Sequence, residues 1–161
     1  MGRMALGVGL SLLALGAALT SAQDVGVEQP KVLTSISAEE MTQLLDGLLL
    51  DYEQSTDDDG DPIFIIRFAD YSGVLVFYDV TDGSAGALLF QAFFTSGEEA
   101  FPLEMVNNWN TARRYTRAYV DADGDAALES DLDLAGGVTE ETIRRFIRTF
   151  STSLPGFAEA I

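Results

Sequence analysis

From Ser37 onward the apolar positions switch between two periods, and the switches mark out the elements. Met41, Leu44, Leu45 and Leu48 recur three or four residues apart, the stripe of an amphipathic helix. Ser37-Ala38-Glu39-Glu40 in front of them forms a capping box: the serine oxygen takes an orphan amide and Glu40 reaches back. Ile36 is placed to staple onto Met41, and Gly47 ends the helix. The period then becomes two, with Leu48, Leu50 and Tyr52 facing one way and Asp51 and Glu53 the other, a half-buried strand from Leu48 to Gln54. After the turn Thr56 to Pro62 come three apolar runs rich in β-branched and aromatic residues: Ile63 to Phe68, Val74 to Tyr78 and Ala87 to Phe94. Short polar connectors join them, so an antiparallel meander is the simplest assembly.

These three runs are apolar on both parities. Ile63, Ile65, Val74, Val76, Leu89 and Phe93 share one face; Phe64, Phe68, Leu75, Phe77, Leu88 and Phe90 share the other. One helical layer covers one face only, so the second face needs either the chain's own remaining elements or a partner molecule.

Pro102 suits the first turn of a second helix, in which Leu103, Val106 and Asn110 share a face and Met105 and Trp109 form an i,i+4 pair. Asn107, Asn108 and Asn110 around the single tryptophan read in two ways: as a recognition patch, or as groups that cap the helix end while Trp109 packs. Arg113 to Val120 and Ala126 to Leu134 then form a hairpin. With Asp123-Gly124 as a two-residue turn, Tyr119 faces Leu128, Arg117 faces Ser130, Tyr115 faces Leu132 and Arg114 faces Asp133. That register sets Arg117 in the middle of an apolar face, where it must pair, snorkel or serve a site. Gly136-Gly137-Val138-Thr139 breaks the sheet and caps a third helix, whose stripe is Ile143, Phe146, Ile147, Phe150, Leu154 and Phe157. Arg144, Arg145 and Arg148 lie opposite, supported by Glu140 and Glu141 four residues before the first two, and Pro155 is expected to kink or restart the helix.

The first residues carry a different message. Met-Gly-Arg-Met, an apolar run from Ala5 to Leu19 and then Thr20-Ser21-Ala22 make a secretory leader with its cut after Ala22, because the run is shorter than the ~20 residues of a membrane span. Residues 23–36 read as a flexible arm and residues 37–161 as a single domain. The expected location is therefore periplasmic or secreted, with no stable membrane anchor once the leader is gone. The chain has no cysteine, so its stability rests on burial alone.

The chain of 161 residues carries a formal net charge of −17, which repels phosphate and disfavours nucleic acid and anionic lipid as partners. A basic partner or a cation fits the field, as does a charge that serves solubility alone. With neither histidine nor cysteine, zinc sites and Ser-His or Cys-His nucleophiles are excluded, which leaves carboxylate chemistry. The acids cluster in turns and at solvent-facing strand positions, so no enzyme, catalytic residue or cofactor is expected. Asp57-Asp58-Asp59-Gly60-Asp61 and Asp121-Ala122-Asp123-Gly124-Asp125 invite a calcium reading, but glycine falls at the fourth position of each. Shifting the frame to correct this puts Ile66 and Ser130 where a bidentate glutamate belongs. Hairpin turns explain both stretches, and no metal ligands are assigned.

Val106-Asn107-Asn108-Trp109-Asn110, Arg113-Arg114-Tyr115, Ala118-Tyr119-Val120-Asp121, Gly136-Gly137-Val138 and Phe150 resemble the YbjN domain family, whose members are described as bacterial sensory transduction regulators. The resemblance covers residues 37 to 161 and departs mildly at Tyr115, where phenylalanine is more frequent. It implies an α-β-β-β-α-β-β-α order similar to type III secretion chaperones and supplies no catalytic residue. The sequence thus leads to an α+β fold, an antiparallel sheet of five to six strands with three helices. Its expected role is a non-catalytic, exported interaction or chaperone-like regulatory domain, working as a homodimer or on a protein partner. Asn107, Trp109, Asn110 and Arg117 are its candidate partner-binding residues. The alternative is a cation- or small-ligand-binding module built on the Asp-rich turns.

Overall fold

The computed structural model describes residues 30–161. The leader, its cut after Ala22 and the first part of the arm lie outside the described residues. In chain order the elements are β1 (Val32–Leu33), β2 (Ile36–Ser37), α1 (Ala38–Gly47), β3 (Asp51–Thr56), β4 (Pro62–Phe68), β5 (Tyr71–Tyr78) and β6 (Ser84–Ala85). They continue with β7 (Ala87–Phe94), α2 (Leu103–Ala112), β8 (Arg117–Val120), β9 (Ala126–Asp133), β10 (Val138–Thr139) and α3 (Glu140–Ala158). Six strands form one antiparallel sheet in the order β3-β4-β5-β7-β9-β8. The fold is α+β, with three helices against this sheet. The double-sided strands assemble as the expected meander, and four strands of the main sheet stand between α1 and α2, as the residue pattern indicates, against three in the order that the resemblance implies.

The last residues of the expected arm are paired. Val32 and Leu33 lie opposite Thr139 and Val138, and Ile36 and Ser37 opposite Ala85 and Ser84. These two short ladders tie the entry of the domain to the start of α3 and to the β5–β7 connection. Ser37 caps α1 with the full reciprocal box predicted from Glu40. The hydrogen bond from the Ser37 backbone holds the Glu40 carboxyl below the ordinary carboxylate range.

Cross-strand pairing sorts the side chains as their parity demands. Phe64 lies opposite Leu75, Leu75 opposite Phe90, and Phe90 opposite Ser130. All three helices pack on this inner face. α3 crosses its centre, where its six-residue stripe is buried throughout. α1 lies toward the β3 edge, where the Tyr52 hydroxyl donates to Asp46 at 2.8 Å. α2 lies at the β8 edge, with the Trp109 ring edge-on to Phe157 at 5.1 Å.

Several expected boundaries shift. The first strand runs from Asp51 to Thr56 rather than from Leu48 to Gln54, because Leu48 caps α1 and Leu49 turns the chain with φ +56°. Helix α2 runs on to Ala112 and β8 begins only at Arg117, so Arg113 to Thr116 cross from one to the other rather than extending the strand. Its buried positions are Val106 and Trp109, and Leu103 is exposed. Helix α3 also continues through Pro155 to Ala158 without restarting. Proline removes one helical amide, and it falls in the last turns, where one missing bond can be borne by the buried Leu154 and Phe157 on either side.

The tightest packing lies where α3 meets the sheet. Phe90 of β7 and Phe150 of α3 stack with centroids 4.1 Å apart and planes 8° from parallel. The space exists because position 73 on β5 is glycine: a Cβ there would sit 2.7 Å from Phe90 and 3.0 Å from Phe150. Gly73→Ala should therefore destabilise the domain by about 1–3 kcal/mol through overpacking. Urea denaturation followed by near- and far-ultraviolet circular dichroism checks this, and an unchanged midpoint would show that the stack does not constrain α3.

Candidate functional site

The β8–β9 hairpin fixes the surroundings of Arg117. Asp121 donates its amide to the Asp125 carbonyl, and Gly124 donates to Asp121 with φ +89°. This is a three-residue loop closed by a left-handed glycine, not the two-residue turn expected from Asp123-Gly124. The extra residue moves the register by one: Arg117 lies opposite Glu129, Ala118 opposite Leu128, and Tyr119 opposite Ala127. A one-residue slip exchanges the faces, so Arg117 leaves the apolar face and joins the outer one. There it pairs with Glu129 at 2.7 Å and with Asp131. The Tyr119 hydroxyl donates to the other Glu129 oxygen at 2.8 Å, which satisfies a carboxylate that is only 7 % exposed.

The β3–β4 turn is built the same way. Asp57 donates to Asp61, Gly60 donates to Asp57, and Gly60 has φ +88°. In each turn the first aspartate folds its Oδ1 back to accept two amides, those of Asp59 and Asp61 in one case and of Asp123 and Asp125 in the other. The recurrent Asp-rich sequence is thus accounted for by turn chemistry. Among the described residues no group of three or more acidic side chains is placed to hold a metal ion.

The other candidates from the sequence go to different places. Trp109 is 5 % exposed, its indole donates to the Thr116 hydroxyl at 3.1 Å, and the Arg113 guanidinium lies 4.9 Å over its ring. Asn110 uses its whole amide on β8: Nδ2 donates to the Ala118 carbonyl at 2.9 Å and Oδ1 accepts from the Ala118 amide at 2.8 Å. One side chain thereby supplies the bonds that a further strand would make, and closes part of that sheet edge. Asn107 is exposed, and its carbonyl accepts from the Thr111 hydroxyl. The four residues do not form one surface: Trp109 and Asn110 join α2 to β8, whereas Arg117 lies on the opposite face of the sheet.

Among the described residues no helix lies on that opposite face. Ile63, Ile65, Val74, Val76, Leu89 and Phe93 occupy it outside the core cluster; Leu89 is buried at 7 % exposed, and Ile63, Ile65, Val74 and Val76 are half-buried. Phe93 is 52 % exposed and Tyr78 on the same face 50 %. Cross-strand rows show its layout: Ser55, Ile63, Val76, Leu89 and Asp131 in one, and Glu53, Ile65, Val74, Gln91 and Glu129 in the next. An apolar strip over β4, β5 and β7 is thus bracketed by polar or acidic positions on β3 and carboxylates on β9. Sequence reasoning centred on Trp109 and Arg117 does not include this strip, although the double-sided apolarity of the three strands signals it.

A smaller groove of about 260 Å³ lies on the helical side between α3 and β9, lined by Tyr115, Ser130, Leu132, Thr142, Arg145 and Phe146 among others. It exists because the chain leaves the sheet before Arg117, so the last residues of β9 have no neighbour on that side. Arg148 takes Glu141 at 3.3 Å, so the expected Glu141–Arg145 pair is not made.

Burial, with the hydrogen bond to Glu129 second, pushes the Tyr119 phenol up to about 12. The folded value lies above the ~10 of a free phenol, so the contribution of neutral Tyr119 to stability is complete below pH ~10 and is lost as the pH rises toward ~12. In an alkaline titration followed by tyrosinate absorbance, the last ionisation should disappear in Tyr119→Phe and move down in Glu129→Gln. An unchanged profile in both variants would disprove the assignment.

No curated protein matches the chain. The YbjN family, described as "Putative bacterial sensory transduction regulator", matches residues 37–161, which span α1 through α3 and every strand of the main sheet. That description is of a regulator and not of a known enzyme family. The match takes in most of the chain, and the protein belongs to the YbjN family.

Proposed function

We propose that this chain is an exported, non-catalytic protein-interaction domain with a regulatory role, and that it engages its partner through the outer face of the sheet. The observation that carries the reading is the strip Ile63, Ile65, Val74, Val76 and Phe93, which no helix among the described residues covers. Contiguous apolar surface framed by polar residues is the usual mark of a docking site on a soluble domain. The regulator description of the family supports the same role. Catalysis has no comparable support, since the carboxylates sit in turns and in ion pairs such as Arg67 with Asp51 and Glu53. The first aspartate of each hairpin turn, Asp57 or Asp121, accepts amides within its own turn, Asp125 accepts from Ser96, and no observation favours a cation-binding module.

A second copy of the chain is one occupant of that face, and a different protein is the other. The acidic surroundings favour the latter, because like-charged frames repel when two copies are placed face to face. Export rests on the leader pattern of residues 1–22. N-terminal sequencing of the protein recovered from the producing cells should begin at Gln23; an intact Met1 would remove the exported part of the reading.

The docking face is tested with a photo-crosslinking amino acid at Val76, and with the same group at Thr152 on α3 as the comparison. Irradiation in the native compartment should give protein adducts from position 76 and few from position 152. Adducts from position 152 alone would move the interaction to the helical layer.

A further inference from the structure

The charges of this chain are not spread evenly over its two layers. Residues 51–101 and 117–133, the six-stranded sheet with the loops at its ends, hold 17 of the 26 acidic residues and only 2 of the 9 basic ones. Both of those basic residues are already paired: Arg67 with Asp51 and Glu53, and Arg117 with Glu129 and Asp131. The rest of the chain, helices included, is close to neutral.

These acids frame the outer strip. Asp57, Asp58, Asp59 and Asp61 stand in the turn at one end of the sheet, and Asp121, Asp123 and Asp125 in the turn at the other. Along the sides, Asp51 and Glu53 lie on β3, and Glu129 and Asp131 on β9. Between them the strip is three strands wide, about 10 Å at ~4.8 Å per spacing, and that is the diameter of one α-helix. Along the strands the sheet is about 23 Å long, the length of a helix of about 15 residues.

From this layout we infer that the outer face receives a basic amphipathic helix of a partner protein. The helix would lie along β4, β5 and β7 with its apolar stripe on Ile63, Ile65, Val74, Val76 and Phe93, and its lysine or arginine flanks toward the carboxylates of β3 and β9. The inference rests on the docking role proposed above and specifies the chemistry of the occupant. The acidic frame selects against a second copy, whose own frame has the same sign, and against an anionic membrane surface. A docked helix would give the sheet the second helical layer that the described residues do not supply.

The test uses the folded chain and three fluorescent peptides of about 15 residues: one with a leucine stripe and lysine flanks, one with the same composition scrambled, and one with glutamate flanks. Anisotropy should show saturable binding of the first alone, weakened by added salt. Val76→Asp should raise its dissociation constant by at least about tenfold, as truncation of a central contact does. Glu53→Lys, on an exposed edge position that leaves the core untouched, should weaken binding several-fold, and melting curves establish that both variants fold. Equal binding of the scrambled peptide would overturn the inference, because it would reduce the effect to counter-ion attraction. So would no binding of the striped peptide, binding unchanged in both variants, or a wild-type dimer by light scattering that Val76→Asp converts to monomer. Crosslinked protein at position 76 together with failure of the striped peptide would reject the basic helix and leave the docking role standing. Loss of both would reject the docking role as well.

Discussion

The contact of Phe90 with Phe150 over Gly73 sets the arrangement of the two layers. A parallel stack at 4.1 Å between a central strand and the longest helix requires the backbone of β5 to come close beneath the rings, and glycine alone leaves that space. Around it Phe68 and Phe146 pack on Phe90 at 5.7 and 6.3 Å, and a second aromatic group toward the β8 edge joins Phe94 and Trp109 to Phe157 of α3 at 5.5 and 5.1 Å. With α3 held there, α1 fits on one side of it and α2 on the other. The guanidinium of Arg144 reaches from α3 to the Leu44 carbonyl near the end of α1, and the indole of Trp109 anchors α2.

Concentrating every helix on the inner face has a cost on the outer one. Strands β4, β5 and β7 are central, and central strands favour β-branched and aromatic residues on both faces, yet among the described residues only one face receives a helical cover. The chain manages the exposed face with charge at its margins. Carboxylates occupy β3 and β9, their arginine partners Arg67 and Arg117 stand on β4 and β8, and the aspartates of the two hairpin turns stand at the ends. The open edges are treated separately: β3 carries Asp51 and Glu53 followed by the polar Gln54, Ser55 and Thr56, and part of β8 is closed by the amide of Asn110.

Much of this was legible in the residues. The capping box at Ser37, the stripe of α3, the parity of the three double-sided strands and the number of helices follow from local periodicity, which depends only on the 3.6- and 2-residue repeats of the backbone. The existence of two apolar sheet faces was equally plain. Which of them the helices would take was not, because both parities are apolar and the choice depends on where Gly73 admits a ring. The candidate site was less legible for a related reason. Asn107, Trp109, Asn110 and Arg117 stand close in sequence, but a helix, a crossing segment and a strand separate them, so their proximity along the chain does not survive folding.

The amino-acid sequence by itself determined the α+β class, the element types, the excess of acid and the exclusion of histidine and cysteine chemistry, since each of these is local or compositional. Tertiary structure alone decided the register of the last hairpin, and with it the face that carries Arg117, because one left-handed glycine in a three-residue loop shifts every cross-strand partner by one. It also decided that the acids gather around an uncovered apolar strip. That juxtaposition joins residues from β3 to β9 through four successive strand pairings, and no stretch of the chain contains it.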